Sequence, residues 1–127
     1  MAGTKGEVLP ADRARIWARR LDEQAHLLEL ARQYERGLDL PGLQAVVVFG
    51  SVARGDFNLG SDVDVLVVAD DLPGRLPDRQ ELLSFPVPRV QALGWTSDEM
   101  ATQLRRQDPI AVEAYQTGVV IRGTLPV

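Results

Sequence analysis

Two short apolar runs, separated by a polar and glycine-rich segment, constrain the fold of this chain more than any other feature. The runs cover residues 43–49 and 63–68, and both are rich in β-branched side chains. Runs of this length are too short for ordinary globular helices and are typical of buried strands. The segment between them is too short for a full crossover helix, although one or two helical turns would fit. The sequence therefore predicts two strands joined by a short polar connection.

A helical pattern precedes the first of these strands. Apolar side chains recur there with the 3.6-residue period of a helix, at Leu27, Leu30, Ala31, Tyr34 and Leu38. This stripe can be extended back toward Pro10, which suits the first turn of a helix. We predict a helix from Pro10 to about Arg36, and we expect residues 1–9 to form a loose tail.

Shorter elements are predicted after the second strand. Pro86 and Pro88 indicate that the third strand begins at a sheet edge, because proline cannot donate a ladder hydrogen bond. Thr96 and Glu99 have the spacing of a capping box, which starts a helix. The predicted elements are a helix over 79–84, a strand over 87–95, helices over 97–106 and 109–118, and a strand over 119–121. This order of elements predicts an α/β fold.

Length and charge limit the classes of function. The 127 residues, of which 45% are hydrophobic, predict one domain over residues 1–127 with a substantial core. The net charge of −4 argues against general binding to nucleic acid, which needs a basic surface. Neither a signal peptide nor an apolar stretch long enough to span a bilayer is visible, so we expect a cytoplasmic protein.

The residue types that are missing limit the chemistry. The chain contains no cysteine, which excludes disulfides, thiolate metal sites and cysteine nucleophiles. A bound metal would therefore use oxygen ligands or the single histidine, His26. Oxygen ligands favour magnesium or manganese over zinc.

Two aspartates at the start of the second apolar run are candidate metal ligands. Asp62 and Asp64 are two residues apart, so on a strand they would point to the same face, with Cα atoms roughly 6–7 Å apart. Two like charges at that separation repel, and a divalent cation that bridges both carboxylates removes the conflict. The alternative is a strand that faces solvent and carries two surface aspartates.

A glycine and a serine directly after the first apolar run are candidate phosphate ligands. Gly50 would let a phosphate approach the backbone, and the Ser51 hydroxyl would add a hydrogen-bond donor. Taken alone, Gly50 is better explained as an ordinary glycine at a strand end. Combined with Asp62 and Asp64, the pair gives the two parts that phosphoryl transfer needs, donors to a polyphosphate and a metal ion.

The complete segment resembles a known family. Gly50-Ser51, ten further residues and then Asp62-Val63-Asp64 stand here within the wider pattern GSxARGD…SDxDxLV. This arrangement resembles the minimal nucleotidyltransferases, which are relatives of the DNA polymerase beta superfamily. The resemblance extends more weakly from about residue 20 to residue 123. It implies the nucleotidyltransferase fold, with a small mixed or antiparallel sheet flanked by helices on one side.

The resemblance also implies an activity and roles for particular residues. Gly50 and Ser51 would hold the triphosphate of ATP or another nucleoside triphosphate, with help from Arg54 and Ser61. Asp62 and Asp64 would be the catalytic carboxylates and would bind two Mg²⁺ or Mn²⁺ ions. A nucleoside monophosphate would pass to a hydroxyl acceptor. In this family the acceptor can be a HEPN-type partner protein, for which the small protein is the antitoxin of a toxin–antitoxin pair.

One departure from the family pattern leaves two functions open. The family carries a third carboxylate on the later strand, and that position falls on Gln91. Residues 86–96 contain neither aspartate nor glutamate. Either another acid, such as Asp56 or Glu81, replaces the missing carboxylate, or the chain is a weakened module that binds nucleotide or a partner without efficient transfer.

Overall fold

The computed structural model describes residues 10–84 and 86–126, and helices and strands alternate there except for two successive helices before the last strand. The tail expected at residues 1–9 lies outside these described residues. In chain order the elements are α1 (Pro10–Gly37), β1 (Leu43–Phe49), α2 (Gly50–Arg54), β2 (Val63–Ala69), α3 (Leu76–Leu83), β3 (Val90–Trp95), α4 (Ser97–Arg105), α5 (Pro109–Gln116) and β4 (Val119–Gly123).

The strands form one mixed sheet with the order β3-β2-β1-β4. Strand β1 pairs antiparallel with β2 and with β4, whereas β2 pairs parallel with β3. Phe49, the last residue of β1, lies opposite Asp64 near the start of β2. The same Asp64 lies opposite Gln91 of β3. These registers bring the end of β1 and the starts of β2 and β3 to one edge of the sheet.

Helices cover both faces of this sheet. On one face α1 packs against β1 and β2, and the buried residues there include Leu27, Ala31, Tyr34, Val46, Val48, Val63, Val65 and Val67. On the other face α4 and α5 bury Met100, Ala111 and Ala114 against Ala45, Val47, Leu66 and Val68. The predicted α/β nucleotidyltransferase fold with a mixed sheet is confirmed, but the expectation of helices on one side only is wrong. Strands β1 and β2 are apolar at nearly every position, so both faces need cover.

The starts of two elements differ from the sequence prediction, and a proline lies at each of them. Helix α3 begins at Leu76 rather than at residue 79, because Pro77 is accommodated in the first helical turn. Strand β3 begins at Val90 rather than at residue 87. The stretch before it contains Pro88, and Arg89 follows with a φ of 69°, outside strand geometry. The predicted edge position of β3 is confirmed.

Side chains of α1 hold the connection between α2 and β2. The Arg20 guanidinium donates to the carbonyls of Gly55 and Phe57, at 2.9 and 2.8 Å, and lies 4.5 Å from the centre of the Phe57 ring. Gln24 donates to the carbonyl of Val52 at 2.8 Å. These contacts anchor the polar connection between the two central strands, and this connection contains most of the sequence motif.

Helix caps fix where α4 and α5 begin. The predicted capping box is confirmed, since the Thr96 hydroxyl accepts from the Glu99 amide while the Glu99 carboxylate accepts from the Thr96 amide. Asp108 caps α5 by accepting from the amide of Ile110 at 2.9 Å. Both helices are thereby positioned over the sheet face that carries Leu66 and Val68.

Truncating Leu66, which lies between the sheet and helices α4 and α5, should destabilise the fold strongly. Leu66 is fully buried in β2, so Leu66→Ala should lower the free energy of unfolding by about 2–5 kcal/mol. Leu59 is 87% exposed, and Leu59→Ala should change stability by less than about 0.5 kcal/mol. Urea denaturation followed by circular dichroism measures both variants. Equal costs would contradict the described core.

Candidate active site

The corner between β1 and α2 is shaped by one glycine. Gly50 has a φ of 76°, a left-handed conformation that side chains other than glycine rarely adopt. A Cβ atom at this position would lie 2.6 Å from Oδ2 of Asp64. The Asp64 carboxylate therefore points at the Gly50 backbone, and only glycine leaves room for it there.

The two aspartates of the motif lie in different environments. Asp64 is half-buried within β2, on the sheet face that also carries Leu66 and Val68, whereas Asp62 is exposed and precedes the strand. Burial raises the pKa of the Asp64 carboxyl, and the negative charges of Asp62 and then Glu113 raise it further, against the opposing effect of Arg54. Since β2 begins at Val63, only Asp64 lies within the strand, and Asp62 precedes it.

Arg54 connects the motif to a helix that is distant in sequence. Its Nε donates to Oδ2 of Asp56 at 3.2 Å, and its Nη1 forms an ion pair with Oε1 of Glu113 on α5. Glu113 was not singled out from the sequence. It lies 59 residues beyond Arg54, and only the packing of α5 over the sheet brings it to the motif.

The two serines of the motif have different surroundings. Ser51 lies half-buried in the first turn of α2, and its carbonyl accepts from the amides of Gly55 and Asp56. The Ser61 hydroxyl accepts from the Asn58 amide at 2.9 Å, and the Ser61 carbonyl accepts from the Arg89 guanidinium. The Ser61 side chain therefore stabilises the turn that leads into Asp62.

The family resemblance assigns a third carboxylate to the position of Gln91, whose side chain is neutral. Gln91 is paired with Asp64 across β2 and β3. Of the two suggested replacements, Asp56 reaches the site through its ion pair with Arg54. Glu81 is exposed on α3, a helix that packs against β3 and places Leu83 next to Tyr34.

The acids of the site fit a metal ion that is shared with a polyphosphate. Within residues 10–84 and 86–126, no group of three or more His, Asp or Glu side chains is arranged to hold a metal ion. Mg²⁺ in phosphoryl-transfer sites is commonly held by one or two carboxylates, with phosphate oxygens and waters as the other ligands. Asp62 and Asp64 beside Gly50 match that donor set.

The comparison with known families agrees with this geometry. A family model described as the nucleotidyltransferase domain matches residues 30–121, which is well over half of the chain. The chain belongs to the nucleotidyltransferase domain family. The family resemblance predicted from the sequence, and with it the nucleotidyltransferase class of enzyme, are confirmed.

Individual relatives show how far the similarity reaches. A putative protein adenylyltransferase of Methanocaldococcus jannaschii is 32% identical over 62 residues, which are 46% of this chain and only 62% of that protein's length. The crystal structure of a putative nucleotidyltransferase from Sulfolobus solfataricus matches with a TM-score of 0.64 at 25% identity, covering 82% of this chain and 86% of that one. A structure of a toxin–antitoxin with AMP-PNP matches with a TM-score of 0.47 at 24% identity, over 80% of this chain and 73% of that one, and is too distant to support an argument.

No helix in the described parts of the chain combines the length and the apolar character that crossing a bilayer requires.

Substituting Gly50 should displace the Asp64 carboxylate. Gly50→Ala combines a disfavoured φ with a Cβ contact of 2.6 Å, and we expect a stability loss of about 1–3 kcal/mol together with weaker nucleotide binding. Gly74→Ala is the matched control, because a Cβ there meets no atom within 4 Å. Thermal melts and calorimetric titration with Mg-ATP measure the two effects. Unchanged Mg-ATP binding in Gly50→Ala would contradict the close approach of the Asp64 carboxylate to Gly50.

The negative charge of Asp64 should lower the stability of the fold when no metal is bound. A raised pKa means that the folded chain binds this proton more tightly than the unfolded chain, so stability falls as pH rises above the ordinary value of 3.8. Asp64→Asn should therefore raise Tm at pH 7 in EDTA, and the gain should shrink as the pH approaches 3.8. Asp39→Asn, at an exposed position, is the control. A variant that is less stable than wild type at pH 7 would contradict the expected sign.

Proposed function

We propose that this chain transfers a nucleoside monophosphate from ATP or another nucleoside triphosphate to a hydroxyl group of a protein, with Mg²⁺ or Mn²⁺ as the metal. The observation that carries the proposal is the Asp64 carboxylate directed at the Gly50 backbone, 2.6 Å from where a Cβ would lie. It joins a metal-binding acid and a phosphate-binding corner in one place. Family membership supplies the class of reaction.

The phosphate side of the site consists of Gly50, Ser51 and Arg54. The first amides of α2 have no acceptor within the helix, and the absence of a side chain at Gly50 lets a phosphate approach them. Arg54 presents a planar guanidinium, which can donate two parallel hydrogen bonds to a phosphate. Its side chain is 37% exposed, so it can exchange its carboxylate partners for the ligand. Ser61 supports this arrangement through the turn that precedes Asp62.

The acidic side of the site consists of Asp62 and Asp64, which we propose as the catalytic and metal-binding pair. Their repulsion and the partial burial of Asp64 favour a counter-cation. A divalent metal bound there would neutralise charge on the phosphates during transfer. In the reaction, the acceptor oxygen forms a bond to the α-phosphorus and the bond to pyrophosphate breaks. The hydroxyl proton passes from the acceptor oxygen to solvent water, and pyrophosphate departs with the electron pair of the broken bond.

The exposure of the site favours a hydroxyl on a protein surface as the acceptor. Asp62 is exposed, and the Arg54 and Glu113 side chains are 37% and 32% exposed, so the corner is open to solvent. Small-molecule sites are usually concave and enclose most of their ligand. The name of the M. jannaschii relative, a putative protein adenylyltransferase, points to the same acceptor class. The family resemblance adds a specific candidate, a HEPN-type partner of which this chain would be the cytoplasmic antitoxin.

Gln91 favours a second candidate function. The neutral side chain opposite Asp64 removes a charge that the family uses for transfer. A chain that binds Mg-ATP or its partner but transfers slowly would then act as a binding module. Magnesium-dependent ATP binding without turnover, measured by calorimetry and by product analysis, would support this alternative over the enzyme.

Removing the acidic pair should abolish transfer. Incubation with α-labelled ATP, Mg²⁺ and a HEPN-type partner protein should label the partner, and Asp62→Ala/Asp64→Ala should reduce labelling by at least about 100-fold. Asp71→Ala removes an exposed aspartate in the turn after β2 and is the control. Labelling that persists in the double variant would contradict the proposed roles of these acids. Absence of labelling in a folded wild type that binds Mg-ATP would favour the binding module.

A further inference from the structure

The exposed aspartate of the motif depends on its backbone for its orientation. Asp62 lies just before β2 begins at Val63, whereas Asp64 lies within the strand and is paired with a neighbour on each side. Within residues 10–84 and 86–126, no group donates a hydrogen bond to the Asp62 carboxylate and no cation forms an ion pair with it. The direction of this side chain is therefore set by the two peptide groups that flank its Cα atom.

One residue, Arg89, fixes both of these peptide groups. Its guanidinium donates to the carbonyl of Ser61, with a distance of 3.1 Å from Nε and a second bond from Nη2. Its own carbonyl accepts from the amide of Val63 at 2.7 Å. The first contact fixes the peptide group before Asp62, and the second fixes the one after it. Since each residue has only two soft backbone dihedrals, the direction of the Asp62 Cβ atom is fixed as well.

The rest of the connection between α2 and β2 is bound in a similar way. Two guanidinium groups each span the carbonyls of two alternate residues, Gly55 and Phe57 for Arg20, and Leu59 and Ser61 for Arg89. The rigid, planar fork of arginine suits such a pair of acceptors, and the single ammonium group of lysine does not. The half of the connection that Arg20 binds adjoins α2, and the half that Arg89 binds ends at Asp62.

The backbone of Arg89 is strained. Its φ of 69° lies in the left-handed region, which glycine adopts without strain and other residues adopt at a cost. A glycine would therefore suit this turn better than an arginine. Strained backbone of this kind is typical of functional positions, where the surrounding structure compensates for it. The strain favours a role for the guanidinium group rather than for the turn alone.

We propose that Arg89 is a positioning residue, which directs the metal-binding carboxylate of Asp62 by fixing the backbone on both sides of it. The inference rests on the proposed nucleotidyl transfer, in which Asp62 is a metal ligand, and deepens it. Arg89 acts on the metal only through Asp62. This arrangement gives a defined direction to an acid that is exposed and that lies outside the strand.

The first test separates the guanidinium from the turn. Arg89→Gly removes the side chain and relieves the strained φ, so Tm should stay the same or rise. Mn²⁺ affinity in the presence of a non-hydrolysable ATP analogue, measured by electron paramagnetic resonance, should fall by about 10-fold to 100-fold. Arg89→Lys, which keeps the charge but not the fork, should also weaken Mn²⁺ binding. Gln107→Gly is the matched control, because Gln107 has a φ of 56° in the turn between α4 and α5.

The second test asks whether Arg89 acts through Asp62. Asp62→Asn should weaken Mn²⁺ binding by itself. Adding Arg89→Gly to Asp62→Asn should change the Mn²⁺ affinity by less than about 2-fold, because the carboxylate that Arg89 directs is already lost. A guanidinium that bound the polyphosphate directly would give losses that multiply. Arg89→Lys completes the same cycle if Arg89→Gly does not fold.

The outcomes distinguish this inference from the proposed function. Mn²⁺ affinity that is the same in Arg89→Gly and in the wild type would overturn the role of Arg89 and leave the proposed function intact. Losses that multiply in the double variant would also overturn it, since Arg89 would then act apart from Asp62. A folded wild type that binds no Mn²⁺ with the ATP analogue would instead reject the proposed function, on which the inference rests.

Discussion

Antiparallel pairing between β1 and β2 holds the two halves of the candidate site together. Because β1 ends where β2 begins, Phe49 lies opposite Asp64, and the next residue, Gly50, meets the Asp64 carboxylate. The valines on both sides of each strand fix this register. A slip by one residue would turn Asp64 into the layer under α1 and expose apolar side chains on the opposite face. The hydrophobic pattern that fixes the strand register therefore also directs the Asp64 carboxylate toward Gly50.

The site is assembled at an electrostatic cost that the core must offset. Burial raises the pKa of the half-buried Asp64, the charges of Asp62 and Glu113 raise it further, and Arg54 opposes them. Like charges brought together in this way are typical of sites that are organised for a ligand rather than for stability. The fully buried rows of β1 and β2 provide the rigid support that such a cluster needs.

Most of the features that the sequence predicts correctly come from local sequence patterns. The two valine-rich strands, the capping box of α4 and the spacing from Gly50 to Asp64 depend on neighbours close in the chain, and the structure reproduces them. The side of the sheet that each helix covers depends on tertiary packing, so local patterns do not predict that helices cover both faces. The ion pair between Arg54 and Glu113 joins residues 59 positions apart, so no local sequence pattern predicts it.

The layered architecture decides which elements contribute charged side chains to the corner. Asp64 and Leu66 share the sheet face that α5 covers, and Glu113 of that helix reaches the motif through its ion pair with Arg54. Coulomb energy depends on distance and surroundings and not on which element carries the charge. A charged group of the corner can therefore come from a helix as well as from a strand, provided that the core holds both elements in place. The Gly50 to Asp64 motif contains Arg54 but not Glu113, its ion-pair partner on α5.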